Sequence, residues 1–464
     1  MGGATTADGP VRAPPGRLDG RRPGGQPGRP GRYGMMDAPV GAGAPAGHRR
    51  RRERDVITMH NGPQPTDLGD VRATNRAVVL RHVRDHAPCS RADIATHTGL
   101  NKATVSSLVG ELIGYRLLRE TGVTENRVGR PATMLVLDGE PYAALGMQVS
   151  ADELVVVAVD LGGTRLLTWR RAFTTLTATA GETVTALAAL ARRALGRVTG
   201  QGRQVLGLTV GVPGLVDTDG TVPLAAALGW HDVPLAADLR KALREPAFPV
   251  TVDNEANLAV LAEQRHGGHA DIADLVHLTG TAGIDAGIIV AGRLLRGARG
   301  FAGAIGHLPL DPAGPLCRCG RRGCLEAYAG LPALVDRLLP DTTQDGPVTD
   351  FAPEIERIRA LARAGDPTVL TGLAGTGRHL GHGVALLAGV VNPATVLLGG
   401  HFATLAPWLL PAALEELAER TVAPGTGGCH LDASTLGGIA AALGGATASL
   451  SRIEAGRLPS TTGG

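Results

Sequence analysis

Four residues near the middle of the chain, His307, Cys317, Cys319 and Cys324, carry the spacing of a closed metal site inside the segment GHLPLDPAGPLCRCGRRGCLEAY. A Cys3His set offers four nitrogen and sulfur ligands with no carboxylate and no open position, which suits a structural Zn2+ better than a catalytic one. Binding one ion folds this stretch into a knuckle, and the glycines at 320 and 323 let its backbone turn through positive φ. The plainer alternative is three buried or reactive thiols beside an unrelated histidine.

A chain of 464 residues exceeds one ordinary domain and should divide into two or three. Hydrophobic residues at 43% suffice for real cores, but aromatics at 3% leave Ala, Val and Leu to build them. A net charge of +3 sets up no global field for nucleic acid, so any basic footprint must be local. Lys102 and Lys241 are the only lysines among 46 basic residues, which reflects a GC-rich coding bias. Outside the knuckle only Cys89 and Cys429 remain, unlike the pattern of a secreted disulfide scaffold, so a reducing cytoplasm is the expected compartment. No apolar run of about 18 residues marks a membrane span, and no apolar segment near the start marks a signal peptide.

Residues 1–65 are rich in Gly, Pro and Arg without apolar periodicity, and cannot bury enough surface to offset chain entropy. They are expected to form a disordered tail, or to precede a true start at Met35, Met36 or Met59. The run from His48 to Arg52 is either a source of nonspecific phosphate attraction or a solvated tail.

Residues 66–140 change character. Apolar residues recur at helical intervals from Asn75 to Val83, Ser90 is placed to cap a second helix from Arg91, and Gly99 supplies a turn. Asn101 then caps a third helix whose Val105, Leu108, Val109 and Leu112 form an inward stripe. The runs from Leu117 and from Thr133 predict two strands joined by a basic loop. The whole reads as a winged helix-turn-helix. Lys102, Ala103, Thr104, Ser106 and Ser107 face outward on the third helix and are small enough to enter a major groove, while Arg91 and the wing residues Arg127 and Arg130 suit phosphate or minor groove. A helical packing module with one polar face is the alternative.

From residue 141 to 455 the pattern becomes α/β. Strands are expected at 143–149, 153–160 and 164–172, a helix at about 180–197, and a strand from Gln204 ending in the turn Gly211-Val-Pro-Gly-Leu. A second half starts near residue 270, with Leu275-Val-His-Leu-Thr leading into a glycine-containing turn. Two halves of similar logic predict two lobes with a cleft between them.

These residues resemble the ROK proteins (repressors, open reading frames and sugar kinases), specifically the transcriptional repressor branch, from about residue 70 to 452. The resemblance is carried by Gly306-His307, the Cys317–Glu326 knuckle, Gly211-Val-Pro-Gly214, Asp253-Asn-Glu-Ala-Asn257 and Leu398-Gly-Gly400. It implies an α/β chain in which a winged helix-turn-helix precedes a two-lobed, actin-like and hexokinase-like ATPase fold. It also implies a sugar pocket lined by Asn254, Glu255, His307 and Glu326.

Asp160-Leu-Gly-Gly-Thr164 looks like the phosphate loop of the family's kinases, but a three-strand meander fits only if Gln148–Asp152 is that loop and Gly162-Gly163 a hairpin turn. Gln148 then replaces an acidic residue, Ser150 and Ala151 replace glycines, and Asp152 adds negative charge. Asp285 falls where a second phosphate turn would have glycine, and Glu255 stands at the catalytic aspartate, one methylene too long. Ala304 replaces a glutamate, a loss of about 1.5–3 kcal/mol to any ligand that used it. Asn254 and Glu255 otherwise read as helix-capping residues.

The resulting expectation is no enzyme, but a DNA-binding regulator and repressor. It would act as a homodimer or tetramer on a double-stranded operator, controlled by a carbohydrate effector. An ATP-dependent sugar kinase with an accessory DNA-binding domain is the alternative, and a regulator answering a protein partner is a third reading.

Overall fold

A computed structural model describes residues 68–122, 133–281, 283–345, 351–422 and 428–459. The tail at 1–65, with its alternative starts and arginine run, and the wing residues Arg127 and Arg130 lie outside the described residues.

The first elements are α1 (Leu68–His86), β1 (Cys89–Ser90), α2 (Arg91–Thr98), α3 (Lys102–Gly114), β2 (Leu118–Glu120) and β3 (Met134–Leu137). Ser90 and Asp93 close a capping box at the start of α2, each side chain accepting the other's backbone N–H. Gly99 ends that helix in the left-handed region, and the Asn101 side chain accepts Thr104 N–H at 2.7 Å to start α3. Caps of this kind contribute about 1 kcal/mol each, so the turn between the helices is fixed by local chemistry. One strand was not foreseen: β1 pairs with β3, making a three-stranded sheet in the order β1-β3-β2.

The first lobe contains β4 (Tyr142–Val149), β5 (Glu153–Val159), β6 (Arg165–Ala172), α4 (Ala180–Thr199), β7 (Gln204–Val212), β8 (Val222–Ala225), β9 (Trp230–Val233), α5 (Leu235–Ala242), β10 (Val250–Asn254) and α6 (Glu255–His266). Its five-stranded sheet runs β10-β7-β4-β5-β6, with β4, β5 and β6 antiparallel and β7 and β10 parallel to β4. The pairing ends β4 with Gln148-Val149, puts Ser150–Asp152 between β4 and β5 and Gly162-Gly163 in the β5–β6 turn, the meander expected from the sequence. Strand β7 continues through Val212, so the predicted turn at Gly211 begins two residues later, at Pro213.

The second lobe contains β11 (Leu275–Gly280), β12 (Ile284–Val290), β13 (Arg293–Leu294), α7 (Leu325–Ala329), α8 (Leu331–Leu338), α9 (Ala352–Arg363), α10 (Pro367–Val391), β14 (Thr395–Gly400), α11 (His401–Arg420), β15 (His430–Ala433) and α12 (Ala440–Glu454). Its sheet order, β13-β12-β11-β14-β15, repeats the first lobe strand for strand and polarity for polarity. Asp285 belongs to β12, opposite Thr279 of β11, and not to a glycine turn; the pairing of β11 with β12 runs right up to the turn and draws it into the strand.

The lobes are joined by crossed helices. After β10, α6 packs on β11 and β12, while after β15, α12 packs on β4, β5 and β7. The crossing is tight because Gly444 has no side chain: a Cβ there would lie 1.7 Å from the Leu258 carbonyl oxygen. On the other face of α6, a Cβ at Gly287 would lie 1.9 Å from the Ala256 carbonyl oxygen. The inner faces of β5 and α12 also share one apolar core with Val79, Ile94, Val105 and Leu112 of the N-terminal headpiece. Burying each such side chain contributes about 1.5–3 kcal/mol relative to leaving it exposed, so headpiece and first lobe stabilise one another. Among the described residues no helix is long and apolar enough to cross a membrane.

Because main chain faces main chain at the α6–α12 crossing, Gly444→Ala is expected to lower stability by about 3 kcal/mol, the upper end of what overpacking a core costs. Chemical denaturation of wild type and variant measures the difference.

Candidate functional site

The knuckle stands on backbone hydrogen bonds. Cys317 N–H donates to Arg321 O at 2.7 Å, Gly320 N–H to Cys317 O at 2.9 Å and Leu310 N–H to Gly323 O at 2.7 Å. Gly323 is irreplaceable here: its φ is +68°, and a Cβ would meet the Asp311 carbonyl oxygen at 1.6 Å. Cys317 Sγ lies 3.7 Å from His307 Nδ1, Cys319 Sγ lies 3.7 Å from Cys324 Sγ, and all four ligand atoms lie within 4.8 Å of one another. A tetrahedron with metal–sulfur bonds of about 2.3 Å has edges of about 3.8 Å, so the four residues fit one tetrahedral ion. Burial disfavours the Cys319 thiolate, yet hydrogen bonds from the Arg321 backbone and guanidinium and from the neighbouring thiols hold its pKa down to about 6. The arrangement is a candidate metal centre.

Cys324 is also the residue at which α7 starts, so the knuckle fixes the position of Glu326 in the first turn of that helix. Glu326 Oε2 accepts Ile284 N–H at 3.0 Å, tying α7 to β12. Between the lobes lies a cavity of about 480 Å³, walled by Gly214, Ala225, Asp285, Ala304, His307 and Glu326, with Arg321 at its edge. Two of the four expected pocket residues, His307 and Glu326, line it. Asn254 and Glu255 do not. They sit behind its wall at the start of α6, and both are buried.

Asn254 caps α6, its Oδ1 accepting Ala256 N–H at 2.8 Å, while its Nδ2 donates to Gly214 O at 2.8 Å and to Asp285 Oδ2 at 3.2 Å. It therefore acts as a helix cap and as a bridge to the cavity wall at once. Glu255 is closed off: Thr281 donates its hydroxyl to Oε1, and Oε2 has no partner. Burial, with a smaller contribution from the Asp285 charge, outweighs the Thr281 bond and pushes the Glu255 carboxyl up to about 8. Burial likewise raises Asp285, with Asn254 opposing and the Glu326 charge adding to the shift. Arg296, from the segment after β13, pairs with Asp253 of β10 at 2.6 Å, and Arg299 with Asp217 at 2.8 Å, so two ion pairs cross from lobe to lobe. Thr281, Arg296 and Arg321 were not selected by sequence, and Asp285 was read as part of a phosphate turn and not of this pocket. The signal for Asp285 was its place one residue after an inward Ile284, since alternation along a strand turns it to the opposite face.

On the headpiece, Lys102, Ala103, Ser106 and Ser107 are exposed and Thr104 is half-buried along one side of α3. Arg91 lies nearby and pairs with Glu120 at 2.8 Å.

Two lobes of duplicated topology joined by crossed helices, with a cavity between them, define the hexokinase-like class of sugar-kinase folds, here fused behind a three-helix headpiece. The chain belongs to the ROK family, whose model matches residues 144–451. The xylose repressor of Bacillus subtilis (strain 168) is 29% identical over 381 residues, covering 82% of this chain and 96% of the repressor. The crystal structure of a ROK family transcriptional regulator, a homologue of the E. coli MLC protein, superposes with a TM-score of 0.71 at 26% identity and covers 84% of this chain and 98% of that one. A ROK family glucokinase from Streptomyces griseus, solved with glucose and AMPPNP, superposes with a TM-score of 0.56 at 27% identity, covering 66% of this chain and 98% of its own.

A carboxyl whose pKa rises on folding takes up a proton as the chain folds. The stability it allows is therefore complete below the ordinary value of 4.5 and is lost as pH rises through about 8. Glu255→Gln is expected to flatten that decline between pH 5 and 9, as followed by urea denaturation across the range.

Proposed function

We propose that the chain is a transcriptional repressor that binds a double-stranded DNA operator through its headpiece and answers a carbohydrate held in the interlobe cavity. One observation carries this reading. The 381-residue similarity to the B. subtilis xylose repressor is too long to fit within residues 144–451 and the few that follow, so it reaches into the headpiece. In this reading the headpiece is a winged helix-turn-helix. The exposed side of α3, with Lys102, Ala103, Thr104, Ser106 and Ser107, enters the major groove, and Arg91, Arg127 and Arg130 contact the DNA backbone. Arg91 leaves Glu120 to do so, at a cost under about 1 kcal/mol for an exposed pair. Two-fold operators call for a homodimer.

The cavity serves sensing and not phosphoryl transfer. A general base must reach its proton, and Glu255 is buried, held by Thr281 and pushed up to about 8 by that burial. From the end of β4 Gln148 donates to Ser150 Oγ of the β4–β5 turn at 3.2 Å, and Thr175 donates its hydroxyl to the Ser150 and Ala151 carbonyls. Side chains therefore occupy a turn that phosphate binding needs bare. His307 and Glu326 line the effector pocket, and Asn254, with Glu255 beside it, supports the wall behind it. Zn2+ in the knuckle holds His307 and, through α7, Glu326. An effector that favours one lobe arrangement shifts the population of DNA-competent dimers. The route runs along α6 to Arg265, which shares Glu454 of α12 with Arg84 of α1.

Purified protein is expected to retard its own promoter region in a low-salt gel-shift assay with competitor DNA; no retardation overturns the repressor reading. Cys319→Ser is expected to lose bound zinc, read by elemental analysis, and to melt at lower temperature; full zinc content at unchanged melting overturns the structural role.

A further inference from the structure

Asp285 is enclosed by protein on most sides, yet part of its surface opens to the interlobe cavity. Its neighbours supply polarity and only a weak counter-charge, from His307, which the knuckle engages. Asn254 Nδ2 donates to it at 3.2 Å, the Gly214 backbone adds a second bond, and the Glu326 charge nearby has the same sign. The two guanidiniums within reach of this region are engaged elsewhere, Arg321 with Cys319 and Arg296 with Asp253. Among the described residues no ion pair includes Asp285, although a carboxylate withdrawn from water and left unpaired is costly. Across the cavity Ala304 offers only a methyl group.

The missing partner is a cation, and its kind is constrained. Among the described residues, only the His307–Cys324 knuckle gathers three or more potential ligand atoms within 4.8 Å of one another. Asp285, Glu255 and Glu326 do not converge, so they make no cage for an inorganic ion. An organic ammonium needs no such cage: one charged group can be set against a carboxylate that accepts two neutral bonds and still has acceptor sites left.

We propose that Asp285 is the specificity-determining residue of the cavity and selects a sugar bearing a free amine over neutral and N-acylated sugars. This rests on the reading of the cavity as a carbohydrate site. The ligand's hydroxyls meet Glu326 and His307, and its ammonium meets Asp285.

Calorimetric titration at pH 7 with glucosamine, N-acetylglucosamine, glucose and xylose tests it. Acetylation keeps the ring and removes the charge. Glucosamine is expected to bind wild type about tenfold more tightly than the other three, the ratio one charge-assisted hydrogen bond brings. Asp285→Asn, which keeps shape, is expected to bring the four within a factor of about two to three. Neutral sugars binding wild type as tightly as glucosamine overturn the inference without any variant, as does a preference that survives in Asp285→Asn; in both cases the carbohydrate-sensor reading stands. No binding by any of the four overturns both.

Discussion

Among the described residues, the two lobes meet most tightly at the contact between α6 and α12. Their backbones meet at Gly444, where not even a methyl group has room, and α6 is pressed equally hard against Gly287 of the second sheet. Interiors built from small residues allow helices to approach this closely, and close-packed interfaces transmit displacement because they do not compress. The N-terminus of α6 therefore cannot move at the cavity wall without moving its C-terminus, where Arg265 meets Glu454. A lever of this kind needs no chain of side-chain rearrangements between its ends.

The cleft is stiff at its hinge and loosely held at its mouth. Apolar residues and main chain make the hinge, whereas Arg296 and Arg299 close the far side with ion pairs that reach solvent. The Arg299–Asp217 pair is exposed and exchanged easily for water, whereas Asp253 is buried beneath Arg296. The knuckle adds a third constraint by setting where α7 begins, and hence where Glu326 stands relative to β12.

Local chemistry was legible in the sequence. The Ser90 and Asn101 caps, the inward stripe of α3, the Cys3His spacing and the choice of Gly162-Gly163 as a hairpin turn each depend on residues a few positions apart. What depended on distant pairing was not legible. Asp285 read as a phosphate-turn residue by resemblance to the family's kinases, and only the ladder with β11 makes it a strand residue at the cavity. Asn254 and Glu255 were read as one motif, yet the strand-to-helix junction separates them into a bridging amide and a sealed carboxyl. The ion pair of Asp253 with Arg296 and the shared Glu454 join residues far apart in the chain, and no periodicity announces them.

The headpiece has an interior continuous with that of the first lobe. Its helices complete their core with Val155, Val157 and Leu161 of the first lobe and with Leu450 and Ile453 of the last helix. It is thus an outgrowth of the sensor and not a cartridge clipped onto it. Exchanging headpieces between relatives would transplant half of an interface, so new pairings of recognition helix and sensor must arise by substitution on both sides of that seam together, or carry α12 along.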